Sequence, residues 1–368
     1  MRRPLDDEGG RALHHARGED ELRPPHHARH GTRPLRRHGD PSGRNHRDGR
    51  GQAARCEHRQ ASGAWDNDMP HRSSAMTRKI RIVDVFTEKP LSGNQLAVVL
   101  DAKGMPIKLM QRIAREMNFS ETTFVLPPKD PANAARVRIF TPHKEMPFAG
   151  HPTIGTAWVL ADEGLVPKDA KGFALEENVG LVPVRRDASM FWMTHPPLTF
   201  GEVFPHAQVA KAIGVGESDI VGNVPAQIVS TGIPFLFVAL RDAAAVDAAE
   251  IDAAAFGSVP GKNALAVFLF AGVGGDRLYS RCLGLDIAED PATGSASGPL
   301  GAYAVKYGLV ERAPKVEIVS EQGTKMGRQS FVHIELAYDD DDADIPSRIE
   351  VGGSVMPVLS GSLSDFAK

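Results

Sequence analysis

FAGHPTIGTAWVLADEGL at residues 148–165 and EDPATGSASGPLGAYAVKYGL at residues 289–309 decide the fold, because they have the same design. Each follows a strand-like run and an irregular loop, and each begins an apolar helix with small residues. A glycine followed by leucine ends both helices, as is common at helix C-termini. The repeated order predicts two similar halves, each a sheet around one helix.

Short runs rich in Val, Ile, Phe and Thr fill most of the remaining sequence after residue 76 and predict strands. Turn residues such as GVGGD at 272–276 separate neighbouring runs, which is typical of antiparallel hairpins. Only a few segments have helical periodicity, among them PIKLMQRIAREMN at 106–118. The predicted fold class is α+β, with an N-terminal half at 77–196 and a C-terminal half at 197–368.

Residues 1–75 differ sharply in composition from the rest of the chain. They contain no Val, Ile, Phe, Tyr or Lys, but nine of the 14 His residues and fifteen Arg residues. Such a segment buries too little apolar surface to offset the entropy of ordering it, so we expect a disordered extension. The alternative that this extension is not part of the native protein, which would then start near Met76, stays open.

The charge and cysteine content of the remaining chain exclude several classes of protein. From Met76 onward, 28 basic and 35 acidic residues give a mildly acidic protein, which argues against nucleic acid or anionic membranes as partners. Cys56 and Cys282 are the only two cysteines, so a disulfide framework or a cysteine zinc cluster is not expected. We expect a cytoplasmic protein that binds a small anionic metabolite.

The loop EDPATGSASG has the composition of a ligand-binding loop but not the pattern of a nucleotide site. It lacks the Lys-Ser/Thr pair of a P-loop, and its glycine spacing is not that of a dinucleotide fold. Gly294 and Ser295 would let a carboxylate approach the first amides of the helix, which carry the positive end of its dipole. The alternative, that Asp290 or Thr293 merely caps a structural helix, stays open here.

Two further side chains are candidates for acid/base chemistry. His151 follows Gly150 at a predicted helix start, where the dipole lowers its proton affinity. Glu121 lies between an amphipathic helix and an apolar strand, where burial would raise its pKa toward the value that a general acid/base needs. A structural histidine and a surface glutamate are the alternatives. No HExxH, GxSxG or CxxC motif is present, so neither a metal nor a cofactor is predicted.

Six segments together resemble the PhzF-like phenazine-biosynthesis family, whose fold is that of diaminopimelate epimerase. They occur in the order VDVFTEKPLSGNQLAVV, NFSETTFV, FAGHPTIGTA, GLDIAEDPATGSASG, EQGTKMGR and VGGSV, between residues 83 and 355. The resemblance implies two pseudo-symmetric β-barrel-like domains, each around a central helix, with the active site between them. It also implies a homodimer.

The resemblance further implies site residues and a reaction. Glu121 corresponds to the acid/base residue of the family, with His151 and Asp290 as the other catalytic residues, and Gly150, Gly294 and Ser295 would bind substrate. The family's type member isomerises a dihydro-hydroxyanthranilate without metal or cofactor. Two alternatives stay open: an amino-acid epimerase that does not use thiols, and a non-catalytic metabolite-binding protein on the same fold.

Overall fold

The repeat predicted from the two loop–helix segments is present in the computed structural model of the chain. The model describes residues 77–167, 169–257, 259, 264–284, 289–340 and 344–364. These residues belong to one compact unit. The interpretation of residues 1–75 as a disordered extension lies outside the described residues.

Each half of the chain contributes nine strands, and the halves follow each other in sequence. The N-terminal elements are β1 (Arg78–Val85), β2 (Asn94–Val99), α1 (Ile107–Met117), β3 (Glu121–Leu126), β4 (Ala135–Phe140), β5 (Glu145–Met146), α2 (Gly150–Asp162), β6 (Gly172–Glu177), β7 (Gly180–Asp187), β8 (Met190–Thr194) and β9 (Thr199–Phe204). The C-terminal elements are α3 (His206–Ala212), β10 (Ala226–Ser230), β11 (Pro234–Ala239), α4 (Ala243–Ala248), α5 (Ala253–Phe256), β12 (Val267–Gly274), β13 (Arg277–Leu283), β14 (Glu289–Asp290), α6 (Gly294–Lys306), β15 (Lys315–Gln322), β16 (Ser330–Ala337), β17 (Arg348–Gly353) and β18 (Val355–Leu363). Single 3-10 turns occur at Glu217–Asp219 and Thr324–Met326.

The strand pairings repeat in the two halves. Parallel pairing of β2 with β3 and of β4 with β6 recurs as β11 with β12 and β13 with β15. The other pairings of named strands within the described residues are antiparallel. This confirms the predicted α+β class with mainly antiparallel strands.

The last strand of each half pairs with the first strand of the other half's order or its own successor, which ties the halves together. β9 pairs with β10, whereas the equivalent strand β18 returns to the N-terminal half and pairs with β1. β8 and β17 pair with each other between the halves. The two halves therefore share one continuous hydrogen-bonded network, which fixes the position of one relative to the other.

Helices α2 and α6 occupy the centres of the two halves. Both are buried on nearly all sides, as expected for a helix whose apolar residues are not confined to one stripe. Both also end in a Schellman motif: Gly164 and Gly308 have a φ of 70°, and the amides of Leu165 and Leu309 donate back into the last helical turn. The Gly-Leu pairs thus end the helices as the sequence predicts.

Candidate active site

The N-termini of α2 and α6 meet between the two halves. A Cβ atom added to Gly150 would lie 2.5 Å from the Cα atom of Gly294, and one added to Gly294 would lie 3.0 Å from the Cα atom of Gly150. Among the described residues, no side chain of either N-cap residue, Ala149 or Thr293, caps its helix. Two helix dipoles therefore point at one place, where they favour an anion. Neither Asp290 nor Thr293 has the capping role considered from the sequence.

A cavity of about 380 Å³ lies at this junction. The structure brings all six predicted site residues to its wall: Glu121, Gly150, His151, Asp290, Gly294 and Ser295. The opposite wall is mostly apolar and includes Ile233, Phe235, Leu265 and Met326. The cavity thus combines an anion-binding end, ionisable side chains and an apolar surface.

Glu121 and His151 face each other in this cavity. Glu121 is the first residue of β3, directly after the turn that ends α1, and its Oε2 atom lies 3.5 Å from Nε2 of His151. The side chains are only 14% and 3% exposed, respectively. Nε2 has no hydrogen-bond partner among the described residues, so it is available to a ligand or to Glu121. The surface position considered for Glu121 is therefore wrong.

Burial moves the pKa values of these two groups in opposite directions. The pKa of Glu121 is raised well above its usual value, first by burial and then by the charge of Asp290. The pKa of His151 is lowered to about 3, because burial disfavours the imidazolium more than a backbone hydrogen bond to Gln95 favours it. At neutral pH the histidine is therefore neutral, and the glutamate can exchange a proton in the range where enzymes work.

Asp290 is fixed from both halves of the chain. Its Oδ1 atom accepts hydrogen bonds from Ser120 at 2.8 Å and Asn94 at 2.9 Å, and its Oδ2 atom accepts one from Thr293 at 2.7 Å. Burial raises its pKa, and the three hydrogen bonds oppose this shift. The carboxyl group is thus held rigidly at the mouth of α6.

Asn94 is a site residue that the sequence did not reveal, since SGNQLAVV looked like an ordinary turn into a strand. Its Nδ2 atom lies 2.9 Å from Oδ1 of Asp290, 2.8 Å from the carbonyl oxygen of Ala292 and 3.2 Å from Nδ1 of His151. The side chain is buried and connects the two catalytic candidates across the halves. The only sequence signal was the position of SGNQLAVV among the family motifs.

Replacing Asn94 by alanine is expected to lower kcat/KM by about 10- to 100-fold. The variant leaves an oxygen of Asp290 without its donor, and an unmade buried hydrogen bond costs about 1–3 kcal/mol. Steady-state kinetics checks the prediction. Asn178→Ala is the matched control, because Asn178 is exposed and contacts Glu145 on the surface. Equal rates for both variants would contradict a positioning role for Asn94.

Ser120 and Gln322 were also missed as individual residues. Ser120 precedes Glu121 and donates to Asp290, as described above. Nε2 of Gln322 donates to the carbonyl oxygen of Asp290 at 2.8 Å, and its Oε1 accepts the amide of Thr293 at 3.0 Å. Gln322 lies in EQGTKMGR, which the sequence indicated only as a polar loop. It holds the turn between β14 and α6 in place.

Glu289, the neighbour of Asp290, has a different environment. Arg281 donates to both of its carboxylate oxygens at 2.9 Å and also to the carbonyl oxygens of Val246 and Ala249. The adjacent acids therefore differ in function: Glu289 pairs with a buried cation, whereas Asp290 is held by neutral donors in the cavity.

Replacing Glu289 by alanine is expected to lower the free energy of unfolding by about 3–5 kcal/mol, because it leaves the guanidinium of Arg281 buried without its counter-ion. Urea denaturation checks this value. Glu311→Ala, at an exposed position, serves as the control. A loss below about 1 kcal/mol, as for a surface ion pair, would contradict the prediction.

Other functional elements were sought in the described part of the chain. Cys282 lines the cavity and is buried, and burial raises the pKa of its thiol. No group of three or more His, Cys, Asp and Glu side chains among the described residues is arranged to hold a metal ion. No described helix is long and apolar enough to cross a membrane.

Two repeated halves, with buried carboxyl groups between two open helix N-termini, define the class as diaminopimelate epimerase-like enzymes. A hydroxyproline epimerase from Agrobacterium vitis shares this fold, with a TM-score of 0.54 at 12% identity, over 78% of this chain and 92% of that one. Within the class, the family model for phenazine biosynthesis-like proteins, PhzC-PhzF, matches residues 83–361. The chain belongs to this family.

Individual relatives agree with this assignment. Trans-2,3-dihydro-3-hydroxyanthranilate isomerase of Pseudomonas chlororaphis is 37% identical over 290 residues, which cover 77% of this chain and 98% of the relative. The PhzF-family structure from Bacillus anthracis has a TM-score of 0.69 at 27% identity and covers 78% of this chain and 99% of its own. The chain is accordingly a PhzF-like isomerase.

Proposed function

We propose that the protein moves a proton within a small carboxylate substrate of the trans-2,3-dihydro-3-hydroxyanthranilate type, with Glu121 as the acid/base. The observation that carries this proposal is the position of the Glu121 carboxyl group, which lies in the cavity 3.5 Å from His151. Supporting it is the name of the Pseudomonas chlororaphis relative, which acts on that compound.

The substrate carboxylate would bind at the N-termini of α2 and α6. Amides near Gly150, Gly294 and Ser295 supply donors there, and the two helix dipoles add a favourable field. His151 and Asp290 would orient the polar substituents of the ring. Binding the ring between fixed groups makes the proton transfer effectively intramolecular, which supplies a large part of the rate enhancement.

The proton transfer needs only one base in two steps. Glu121 takes a proton from a ring carbon, so that a C–H bond breaks, an O–H bond forms and the electron pair enters the conjugated system. The same carboxyl group then returns the proton to a second carbon, where a C–H bond forms and the O–H bond breaks. A raised pKa suits both steps, because the group must act as a base and then as an acid.

Incubation of the purified protein with trans-2,3-dihydro-3-hydroxyanthranilate tests the proposal, with products followed by NMR and mass spectrometry in H₂O and D₂O. An isomer with a shifted double bond, formed by the wild type only and not by Glu121→Gln, supports it. Inversion of a stereocentre with uptake of solvent deuterium would overturn it in favour of an epimerase. Binding without turnover would overturn it in favour of a metabolite-binding protein.

The homodimer implied by the family resemblance is part of the proposal. Light scattering of the purified chain checks it directly, and a monomer at all concentrations used in the activity assay would contradict it.

A further inference from the structure

Glu177 is a buried acid behind the active site that the proposed reaction does not use. It is the last residue of β6 and only 4% exposed. Its Oε1 atom lies 2.6 Å from the hydroxyl oxygen of Thr153, which is itself 2.7 Å from the carbonyl oxygen of Ala149. Its Oε2 atom is buried with no hydrogen-bond partner among the described residues.

This arrangement connects Glu177 to the first turn of α2. Ala149 is the N-cap of the helix, and Gly150 and His151 lie between it and Thr153. The backbone bond from Thr153 to Ala149 is long, at 3.4 Å, and Pro152 has no amide hydrogen to contribute. The turn that carries two site residues therefore depends on the Thr153 side chain more than on its own backbone.

The hydroxyl of Thr153 has a single hydrogen, so its two contacts require a donor on the other side. If Thr153 donates to Ala149, as hydroxyls in helices often do to the fourth residue before them, Glu177 must be protonated and donate to Thr153. An ionised Glu177 would have only one donor and a buried, unpaired oxygen, which is unfavourable. The neutral acid satisfies both contacts.

The surroundings of Glu177 agree with a neutral group. Burial raises its pKa to about 8, opposed only by the hydrogen bond from Thr153. The nearest charged residues have partners elsewhere. Glu176 accepts from the amides of Lys129 and Asp130, and Arg136 donates to Asn178. On α2, the first turn contains no acidic residue.

The equivalent helix α6 differs at this point. Ser297 corresponds to Thr153, and its hydroxyl donates to the carbonyl oxygen of Thr293 at 3.0 Å. In the described residues, no acid bonds to Ser297; His195 packs there instead, against Gly298. The acid behind the helix start is thus specific to α2, which carries His151.

We propose that Glu177, as a protonated carboxylic acid, is a positioning residue that holds the first turn of α2, and with it Gly150 and His151, in the geometry needed for the proposed function. It acts through Thr153 and does not touch substrate. Loss of the hydrogen-bonded chain would displace His151 and the open amides, and small displacements of this kind lower rates by about 100-fold.

The test compares Glu177→Leu with Glu177→Gln, since glutamine keeps a donor but cannot ionise. In Glu177→Leu we expect kcat/KM to fall by about 100-fold and amide exchange to accelerate in peptides covering residues 148–156, but not in those covering 294–302. Glu177→Gln should restore both. An inactive Glu177→Gln, or a Glu177→Leu variant with wild-type exchange, would overturn the proposal. Glu176→Gln, on the outer face of β6, is the matched control.

Unfolding at different pH values supplies a readout that does not depend on the reaction. Because the pKa of Glu177 is higher in the folded than in the unfolded state, wild-type stability falls as pH rises from about 4.5 to about 8. Glu177→Gln lacks this contribution, so its unfolding midpoint should match the wild type near pH 5 and exceed it near pH 8. No such difference would overturn the neutral acid. If the wild type fails to isomerise the test compound, only the proposed function fails, and this readout and amide exchange still decide the role of Glu177.

Discussion

Glu121→Gln is expected to lower kcat by about 10²–10⁴-fold, the contribution typical of a positioned general acid/base. The amide is isosteric with the carboxyl group but cannot accept a proton from carbon and return it. KM should change little, because the substrate carboxylate binds at the helix N-termini. Steady-state kinetics with trans-2,3-dihydro-3-hydroxyanthranilate measures both constants.

The stability of Glu121→Gln separates catalysis from folding. The raised pKa of Glu121 means that the folded wild type holds a proton which the unfolded chain loses, so wild-type stability decreases as pH rises above the usual glutamate pKa. The variant lacks this decrease and should be at least as stable at neutral pH. Glu116→Gln, at an exposed position on α1, is the control for activity. A Glu121→Gln enzyme with more than about a tenth of the wild-type kcat would contradict the assigned role.

Gly150→Ala is expected to disturb both folding and ligand binding. The added methyl group would lie 2.5 Å from the Cα atom of Gly294, and backbone atoms cannot move aside as a flexible side chain can. Overpacking of this kind costs about 1–3 kcal/mol of stability. It also pushes apart the two helix N-termini, so affinity for a carboxylate should be lost. Chemical denaturation and calorimetric titration with anthranilate measure the two effects.

Gly222→Ala is the matched control for this substitution. A Cβ atom at Gly222 would have no neighbour within 4 Å, so stability and anthranilate binding should stay close to those of the wild type. If Gly150→Ala bound anthranilate as tightly as Gly222→Ala, the junction of the two helices would not be the anion site.

The sequence determined the elements of the fold and their repetition. Helix ends at Gly164 and Gly308, the turn-separated strands and the amphipathic helix that follows Pro106 depend on local chemistry, so they are visible without coordinates. Small residues at the starts of α2 and α6 likewise indicated a close approach, and Gly150 and Gly294 do meet there.

Only the tertiary structure decided how the candidate site is held together. Asn94, Ser120 and Gln322 reach Asp290 from strands far apart in sequence, and Glu177 reaches α2 through Thr153. Such contacts depend on strand pairing across the chain, which no local pattern encodes. The pKa shifts have the same origin, because desolvation is a property of the surrounding atoms and not of the residue itself. The sequence therefore determined which residues begin the two helices, and the packing of the two halves determined their chemistry.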